Sequence, residues 1–306
     1  CEPLSFIVNP LVLKRKPTII FATGGTGKST LGLLMALLVS TGGNVAEVSA
    51  VKGRALFLDW EDSEEVHLRR LHALQAGHPD LSAGHILYRR CTEPLARTVH
   101  ELARVMQREG ITFLVIDSLL AAAGGGSDAE ATEALFAALR VLDVATLIIG
   151  HTPKTVAEGQ AAPTIYGSVF NSNFARSTWE LKTEQEVGDD CAILGLFHRK
   201  TNLTRKHPPI GLKVTQDEHV SRIHYAAHDL RDSEEMARAL PLPNRIRNLL
   251  ETDGTPRTSK QIAEQLGEDL KVVRTTLGRE QYKNKKWSVI EGGPELLYTV
   301  IRGGNG

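Results

Sequence analysis

Short apolar runs alternate with longer stretches of helical periodicity along most of this chain. Residues 18–22 (TIIFA), 55–59 (ALFLD), 112–117 (TFLVID) and 145–151 (ATLIIGH) are nearly continuous in apolar side chains. Such runs mark strands that are covered on both faces. Helical stretches lie between them: Ser29 to about Ser40, 63–76 with Val66, Leu68, Leu71 and Leu74, 93–110 closed by Gly110, and the alanine-rich 128–142. Residues 85–90 (HILYRR) form a further strand candidate, and 193–200 and 210–214 read as later strands of antiparallel type. Strand and helix in alternation predict an α/β fold, a mostly parallel twisted sheet with helices on both faces.

The pattern changes after about residue 229. Residues 230–243 are charged and contain Pro241 and Pro243, which reads as a linker. From 244 to 306 three short amphipathic helices are expected at 245–251, 259–267 and 269–280. Two strands over 286–301 follow, turning at Gly292, Gly293 and Pro294. Three helices and a hairpin predict a small winged helix-turn-helix domain. The expected organisation is an α/β domain over 1–229, a linker over 230–243 and the winged helix over 244–306.

Bulk composition narrows the function classes only a little. The chain has 306 residues, 42% apolar and 24% charged, as soluble globular proteins do. Lys+Arg and Asp+Glu balance at 36 each, so no global field draws the chain to nucleic acid or to a membrane surface. Cys1, Cys91 and Cys191 are odd in number and far apart, which excludes a disulfide or zinc framework and fits the cytoplasm. The longest apolar run, 31–39 (LGLLMALLV), is too short to span a bilayer, and no signal peptide is visible. The chain opens on Cys1 rather than Met, as expected of a fragment.

Chemistry enters at the end of the first strand. Residues 22–29 read ATGGTGKS, the phosphate-loop pattern with Ala22 in place of the first glycine. Thr23, Gly24, Gly25, Thr26 and Gly27 supply backbone N–H groups that can wrap phosphates. Lys28 can reach the β- and γ-phosphates, the Ser29 hydroxyl suits Mg²⁺, and Thr30 opens a helix whose positive end adds to the site. Asp117, at the tip of TFLVID, is the second candidate for Mg²⁺, through a coordinated water, with Ser118 helping to orient it.

The segment 55–63 (ALFLDWEDS) places Asp59, Glu61 and Asp62 at the end of a buried strand. Hydrolysis of a γ-phosphate needs a group that orients or deprotonates water. A carboxylate on a strand beside the phosphate-loop strand would reach that point. Strand alternation puts Asp59 and Glu61 on one side and Trp60 on the other. Glu61 is the first candidate for the catalytic carboxylate. Asp59 is the second candidate and its polar support, and Asp62 is expected to cap the next helix.

The order of these parts resembles the RecA-like ATPases, and among them the RepA-like and DnaB-like hexameric helicase group. The parts are the phosphate loop, a strand ending in Asp-x-Glu, a strand ending in Asp-Ser, and a strand ending in His. The resemblance spans about residues 5–215. It implies ATP with Mg²⁺, Glu61 as catalytic base, and His151 as the group that senses the γ-phosphate. It implies that basic residues after a late strand, Arg199 or Lys200, cross a subunit interface and touch the neighbour's phosphate. Lys200 is preferred because Asn202 follows at the family's spacing. A homo-oligomeric ring, a hexamer, goes with that arrangement. Two inner loops, 121–128 with Gly124–Gly126 and 152–168 with Lys154, would contact single-stranded DNA. Gly167, Ser168, Asn173 and Arg176 match a pattern of the RepA-like relatives.

In 244–306 eleven basic residues stand against eight acidic ones, a net charge of +3. Lys271, Arg274, Arg279 and the run Lys283, Lys285, Lys286 cluster at the third helix and wing, so duplex DNA is the first expected partner there and a docked protein the alternative. Three functions are expected. The first is a Mg-ATP-dependent DNA motor, helicase-like, in replication or repair. The second is a RecA-like recombinase or loader that forms filaments. The third is an ATP-gated winged-helix regulator that binds DNA without translocating.

Overall fold

The apolar runs become the middle of a nine-stranded sheet in the computed structural model, which describes residues 4–125, 129–152, 174–186, 188–217, 221–284, 287–290 and 295–301. Two compact units divide the chain, Cys1–His228 and Asp229–Gly306. The first unit opens with β1 (Phe6–Asn9), β2 (Val12–Leu13), β3 (Pro17–Ala22), α1 (Lys28–Thr41), β4 (Asn44–Val45) and β5 (Val48–Ala50). It continues with β6 (Ala55–Asp59), α2 (Glu64–Gly77), β7 (Ile86–Arg90), α3 (Leu95–Glu109), β8 (Phe113–Asp117), α4 (Leu119–Ala122), α5 (Ala129–Leu142) and β9 (Ala145–His151). Strands β10 (Ser177–Glu184), β11 (Cys191–Thr201), β12 (Ile210–Asp217) and β13 (Arg222–Ala227) complete it.

Strand order in the large sheet is β13-β12-β11-β10-β3-β9-β8-β6-β7. The six strands from β10 to β7 are parallel, and β11, β12 and β13 extend the sheet in antiparallel fashion. This corrects one expectation. The strand that carries Asp59 is not beside the phosphate-loop strand: β3 is flanked by β9 and β10, and β6 lies beyond β9 and β8. A small antiparallel sheet, β2-β1-β5-β4, stands apart from the large one.

Alternation along each strand feeds two cores. Ile20, Phe57, Val115 and Ile149 face α1, while Ile19, Phe21, Leu58, Ile116 and Ile148 face α3 and α5. Helix α1 is apolar almost all round and eleven of its residues are buried, which makes it a core helix rather than a surface one. Gly32 lets it close onto the sheet, since a Cβ there would stand 3.1 Å from Ile149 Cδ1 and 3.3 Å from Val115 Cγ1. The helix stops at Gly42, whose φ of 75° is left-handed and whose N–H reaches Leu38 O at 2.8 Å.

The C-terminus of α2 docks on the edge strand β13. A Cβ on Gly77 would lie 1.8 Å from Ile223 O. His224 Nδ1 donates to Gly77 O at 2.8 Å, and Tyr225 N donates to His78 Nε2 at 3.0 Å. The His78 and His224 rings stack with centroids 4.8 Å apart.

The second unit holds a 3-10 turn (Leu230–Asp232), α6 (Glu234–Ala239), α7 (Leu242–Asp253), β14 (Arg257–Thr258), α8 (Ser259–Leu266), α9 (Leu270–Asn284), β15 (Trp287–Ile290) and β16 (Leu297–Val300). Its sheet is antiparallel in the order β14-β16-β15. Ile246, Leu250, Ile262, Val273, Leu277, Trp287 and Tyr298 form its core. Thr258 and Gln261 make a reciprocal capping box at the start of α8. The segment 230–243, read as a linker, is folded here as the 3-10 turn, α6 and the start of α7, with Met236 fully buried. Among the described residues no helix is long and apolar enough to cross a membrane.

The histidine seam predicts an acid response. Burial and the neighbouring His224 and Arg222 lower the His78 pKa to about 4, from an ordinary 6.5. A depressed histidine stabilises the fold above about pH 6.5, and that stability is lost as pH falls toward 4. His78→Gln keeps an acceptor for Tyr225 N and does not titrate. Urea denaturation at pH 7 and pH 5 should show a smaller loss of stability for the variant than for the wild type.

Candidate nucleotide-binding site

Parallel register brings four strand ends level at the carboxyl edge of the sheet. Ala22 pairs with His151, Asp117 with Ile149, and Asp59 with Asp117. Ligands of open α/β sheets bind at this edge. The phosphate loop leaves β3 here, and Thr152 N ties the end of β9 to Ala22 O at 3.1 Å.

Gly25 and Gly27 take left-handed φ values of 77° and 79°, and Gly24, Gly25 and Gly27 have open space where a Cβ would stand. The loop is thus bare on its concave side, as a phosphate cradle requires. Thr23, Gly24, Gly25 and Gly27 are exposed, whereas Thr26, Lys28 and Thr30 are buried and Ser29 lies between. Thr26 Oγ1 donates to Thr23 O at 3.1 Å and braces the loop. Lys28 Nζ donates to Thr23 O at 2.6 Å and Ala22 O at 3.3 Å. Burial lowers the Lys28 pKa, and the charges of Asp117 and Glu61 oppose that shift. Helix α1 begins at Gly27 with no side-chain cap, so its first N–H groups are open to an anion.

Asp117 is 2% exposed, and its Oδ1 has no hydrogen-bond partner. Burial raises its carboxyl to about 6, against the lowering effect of a hydrogen bond with Ser29, and the charges of Glu61 and Asp59 add to the rise. An orphaned buried carboxylate oxygen beside a serine hydroxyl fits the oxygen-ligand chemistry of Mg²⁺. Ser29 and Asp117 are therefore the residues that would hold it, and such an ion would supply charge neutralisation at the phosphates.

The three acids after β6 have separate fates. Glu61 is half-exposed, accepts a hydrogen bond from Ser118 Oγ, and lies 3.4 Å from His151 Nε2. The His151 contact lowers its pKa against the opposing effect of partial burial, and the Ser118 hydroxyl adds to the lowering. Glu61 is thus an ionised carboxylate at neutral pH, at the edge where Lys28 and Asp117 also lie. Asp59 is fully buried and serves the turn: its Oδ1 accepts from Glu61 N at 2.9 Å and Asp62 N at 3.1 Å. Its Oδ1 is thereby engaged by the turn, and its side chain is not open at the strand edge.

Asp62 does not cap α2. Ser63 occupies that position and its side chain accepts from Val66 N, while Asp62 pairs with Arg70 at 3.0 Å. Strand alternation holds for Trp60, which packs on the α3 side with Leu56 and Leu58. It ends before Glu61, because the strand stops at Asp59 and the chain turns.

Ser118 was expected to orient Asp117; it instead donates to Glu61. Arg199 is tied within its own chain, with Nε 2.6 Å from Glu180 Oε2 in a largely buried ion pair. Lys200 Nζ donates to Ala175 O at 3.4 Å, and burial and the neighbouring Arg176 lower its pKa. Lys200 is level with Thr178, which pairs with Ile19. That places it about 10 Å below the end of β3 along the strand direction and two strands away, so it stands apart from its own phosphate loop. Of the expected DNA loops, 126–128 and 153–173 lie outside the described residues, and with them Lys154, Gly167, Ser168 and Asn173.

Fold and loop together define a RecA-like P-loop ATPase domain. The chain belongs to the AAA domain family, whose model matches residues 1–157. One solved structure similar to it is a KaiC-like protein, PH0186, from the hyperthermophilic archaeon Pyrococcus horikoshii OT3. That likeness has a TM-score of 0.51 at 15% identity and covers 73% of this chain and 99% of the other. At such identity it speaks to the fold alone. No curated protein matches the chain.

A test of the cation pair follows from Asp117. A carboxyl with a raised folded-state pKa favours the folded state below about pH 4, and that advantage is lost as pH rises through about 6. Asp117→Asn should therefore stabilise the nucleotide-free protein at pH 7.5 by on the order of 2 kcal/mol. The gain should vanish below about pH 4, while Mg²⁺-dependent nucleotide binding is lost. Thermal melts at both pH values, with and without Mg²⁺ and nucleotide, check this.

Proposed function

We propose that this protein is a Mg²⁺-dependent ATPase that couples hydrolysis to binding and translocation on DNA, a helicase-like motor acting as a ring. The observation that carries the ATPase reading is the Glu61 carboxylate. It is ionised, held by His151 and Ser118, and set at the same strand edge as Lys28 and Asp117. Catalysis of phosphoryl transfer is mostly positioning and charge stabilisation. The glycine loop and Lys28 would hold the phosphates. Glu61 would accept a proton from the attacking water, and His151 would link Glu61 to the terminal phosphate. Ser29 and Asp117 would hold the cation.

The ring rests on Lys200. Standing apart from its own phosphate loop, Lys200 is suited to a neighbour's site rather than its own, with Arg176 beside it. Arg199 is committed to Glu180 and supports Lys200 by its place on β11. The motor would then be complete only as a homo-oligomer, for which a hexamer is proposed.

DNA binding rests on two features. The described beginnings of the two candidate loops, 118–125 after β8 and Thr152 after β9, follow strands that end at the edge where the phosphate site lies. From α7 onward the second unit runs helix, short strand, helix, helix, strand, strand, an order that supports the winged-helix reading. In that reading α9 would enter a major groove with Lys271, Arg274 and Arg279.

Three measurements test the proposal. Lys28→Ala should abolish nucleotide binding or hydrolysis. Glu61→Gln should bind ATP as the wild type does and lose about a hundredfold or more in turnover. A chain ending at His228 should keep its ATPase activity and bind duplex DNA more weakly than the whole chain. Strand-displacement assays separate the motor from the alternatives. Hydrolysis with filaments and no displacement indicates a recombinase or loader. DNA binding gated by ATP with no displacement indicates a regulator.

A further inference from the structure

Glu61 hangs on a turn, and the turn is built around a buried acid. Asp59 is the last residue of β6 and is fully buried. Burying a carboxylate is costly unless donors surround it. Three donors and two ion-pair neighbours do so here. Glu61 N and Asp62 N donate to Oδ1, at 2.9 and 3.1 Å. Tyr88 OH donates to Oδ2 at 2.8 Å, with His67 Nε2 at 3.2 Å and Arg90 at 3.3 Å from the same oxygen. The backbone is anchored as well: Cys91 N donates to Asp59 O at 2.7 Å and Trp60 N to Asp117 O at 2.8 Å. Trp60 Nε1 reaches Glu93 O at 2.9 Å.

We infer that Asp59 is a positioning residue: by holding the amides of Glu61 and Asp62 it fixes the turn that presents the Glu61 carboxylate to Ser118 and His151. The inference rests on the reading of Glu61 as the water-activating group. Glu61 is then gripped at both ends, its amide by Asp59 and its carboxylate by Ser118 and His151. Tyr88, His67 and Arg90 belong to neighbouring elements, so the turn is locked to β7 and α2 and does not depend on its own local geometry. A merely stabilising acid would need none of the contacts to Glu61. The two amide bonds make the placement of Glu61 depend on Asp59, and small displacements of a reacting group cost large factors in rate.

The test is steady-state ATP hydrolysis and fluorescent-nucleotide binding by the full chain. Asp59→Ala should lower kcat about tenfold or more while nucleotide affinity stays within about twofold. Asp59→Asn keeps an oxygen for both amides and should recover most of that loss. In a Glu61→Gln background, Asp59→Ala should change the residual rate by less than about twofold, because the group it positions is already gone. Wild-type kcat in Asp59→Ala overturns the inference. So does a parallel fall in kcat and affinity, or an equal further loss in the Glu61→Gln background. If Asp59→Ala does not fold, Tyr88→Phe decides. A fall in kcat of about two- to fivefold at unchanged affinity supports the inference, and unchanged kcat overturns it. A Glu61→Gln variant that hydrolyses at the wild-type rate overturns the reading of Glu61 itself. An inactive Glu61→Gln beside a fully active Asp59→Ala overturns only the role of Asp59.

Discussion

Burial of α1 in the core on one face of the sheet is the constraint on which the site depends. The helix buries Leu31, Leu33, Leu34, Leu37 and Leu38 in the core on this face of the sheet. Each fully buried leucine contributes about 1.5–3 kcal/mol. Gly32 sets how close the helix can come to Val115 and Ile149. Once α1 is seated there, its N-terminus has one place to be, at the end of β3. The loop from Ala22 to Gly27 must then bridge a strand and a helix whose ends are already fixed. Its left-handed glycines and bare concave side follow from that closure, and Lys28 is drawn below the surface with the first turn. The phosphate cradle is thus a consequence of core packing as much as of loop chemistry.

Three carboxylates share the strand edge, and their surroundings give them different characters. Asp117 is buried with one oxygen unpartnered, so its carboxyl is raised to about 6 and its charge at neutral pH is costly until a cation is near. Asp59 is also buried, but contacts from His67, the Asp62 and Glu61 amides and Tyr88 outweigh that burial and hold it well below the usual carboxylate range. Glu61 sits between these extremes, half-exposed and kept ionised by His151 and Ser118. Environments that push similar groups apart are how one site divides labour among carboxylates. Asp59 and Asp117 sit opposite each other on adjacent strands, so the same sheet register that aligns the site sets their mutual repulsion.

Residues whose chemistry is local were legible in the chain. ATGGTGKS needs only its own backbone to cradle phosphates, so Thr23 to Thr30 could be assigned by pattern. Asp117 and His151 were legible because continuous apolar strands end on them. Glu61 was legible as a carboxylate near a strand end. Its placement is not the one strand alternation implies: β6 is not beside β3, and the chain turns before Glu61. Asp59 resembled a competitor for the same task because nothing nearby in sequence reveals Tyr88 as its donor or His67 and Arg90 as its charged neighbours. Ser63 outcompeted Asp62 as the helix cap because Asp62 is engaged by Arg70. Arg199 resembled a free cation until Glu180, inside a strand whose polar residues hid it, paired with it.

Periodicity and motif were enough to establish an α/β core, its phosphate loop and the identity of the acids and cations around it. Those signals arise from side chains that act on their own backbone or on neighbours one turn or one pleat away. Strand order, the different contacts of Asp59, Glu61 and Asp62, and the partners of Arg199 and Lys200 emerged only in three dimensions. Each depends on contacts between residues tens of positions apart, which packing of the two cores brings together and no local pattern encodes.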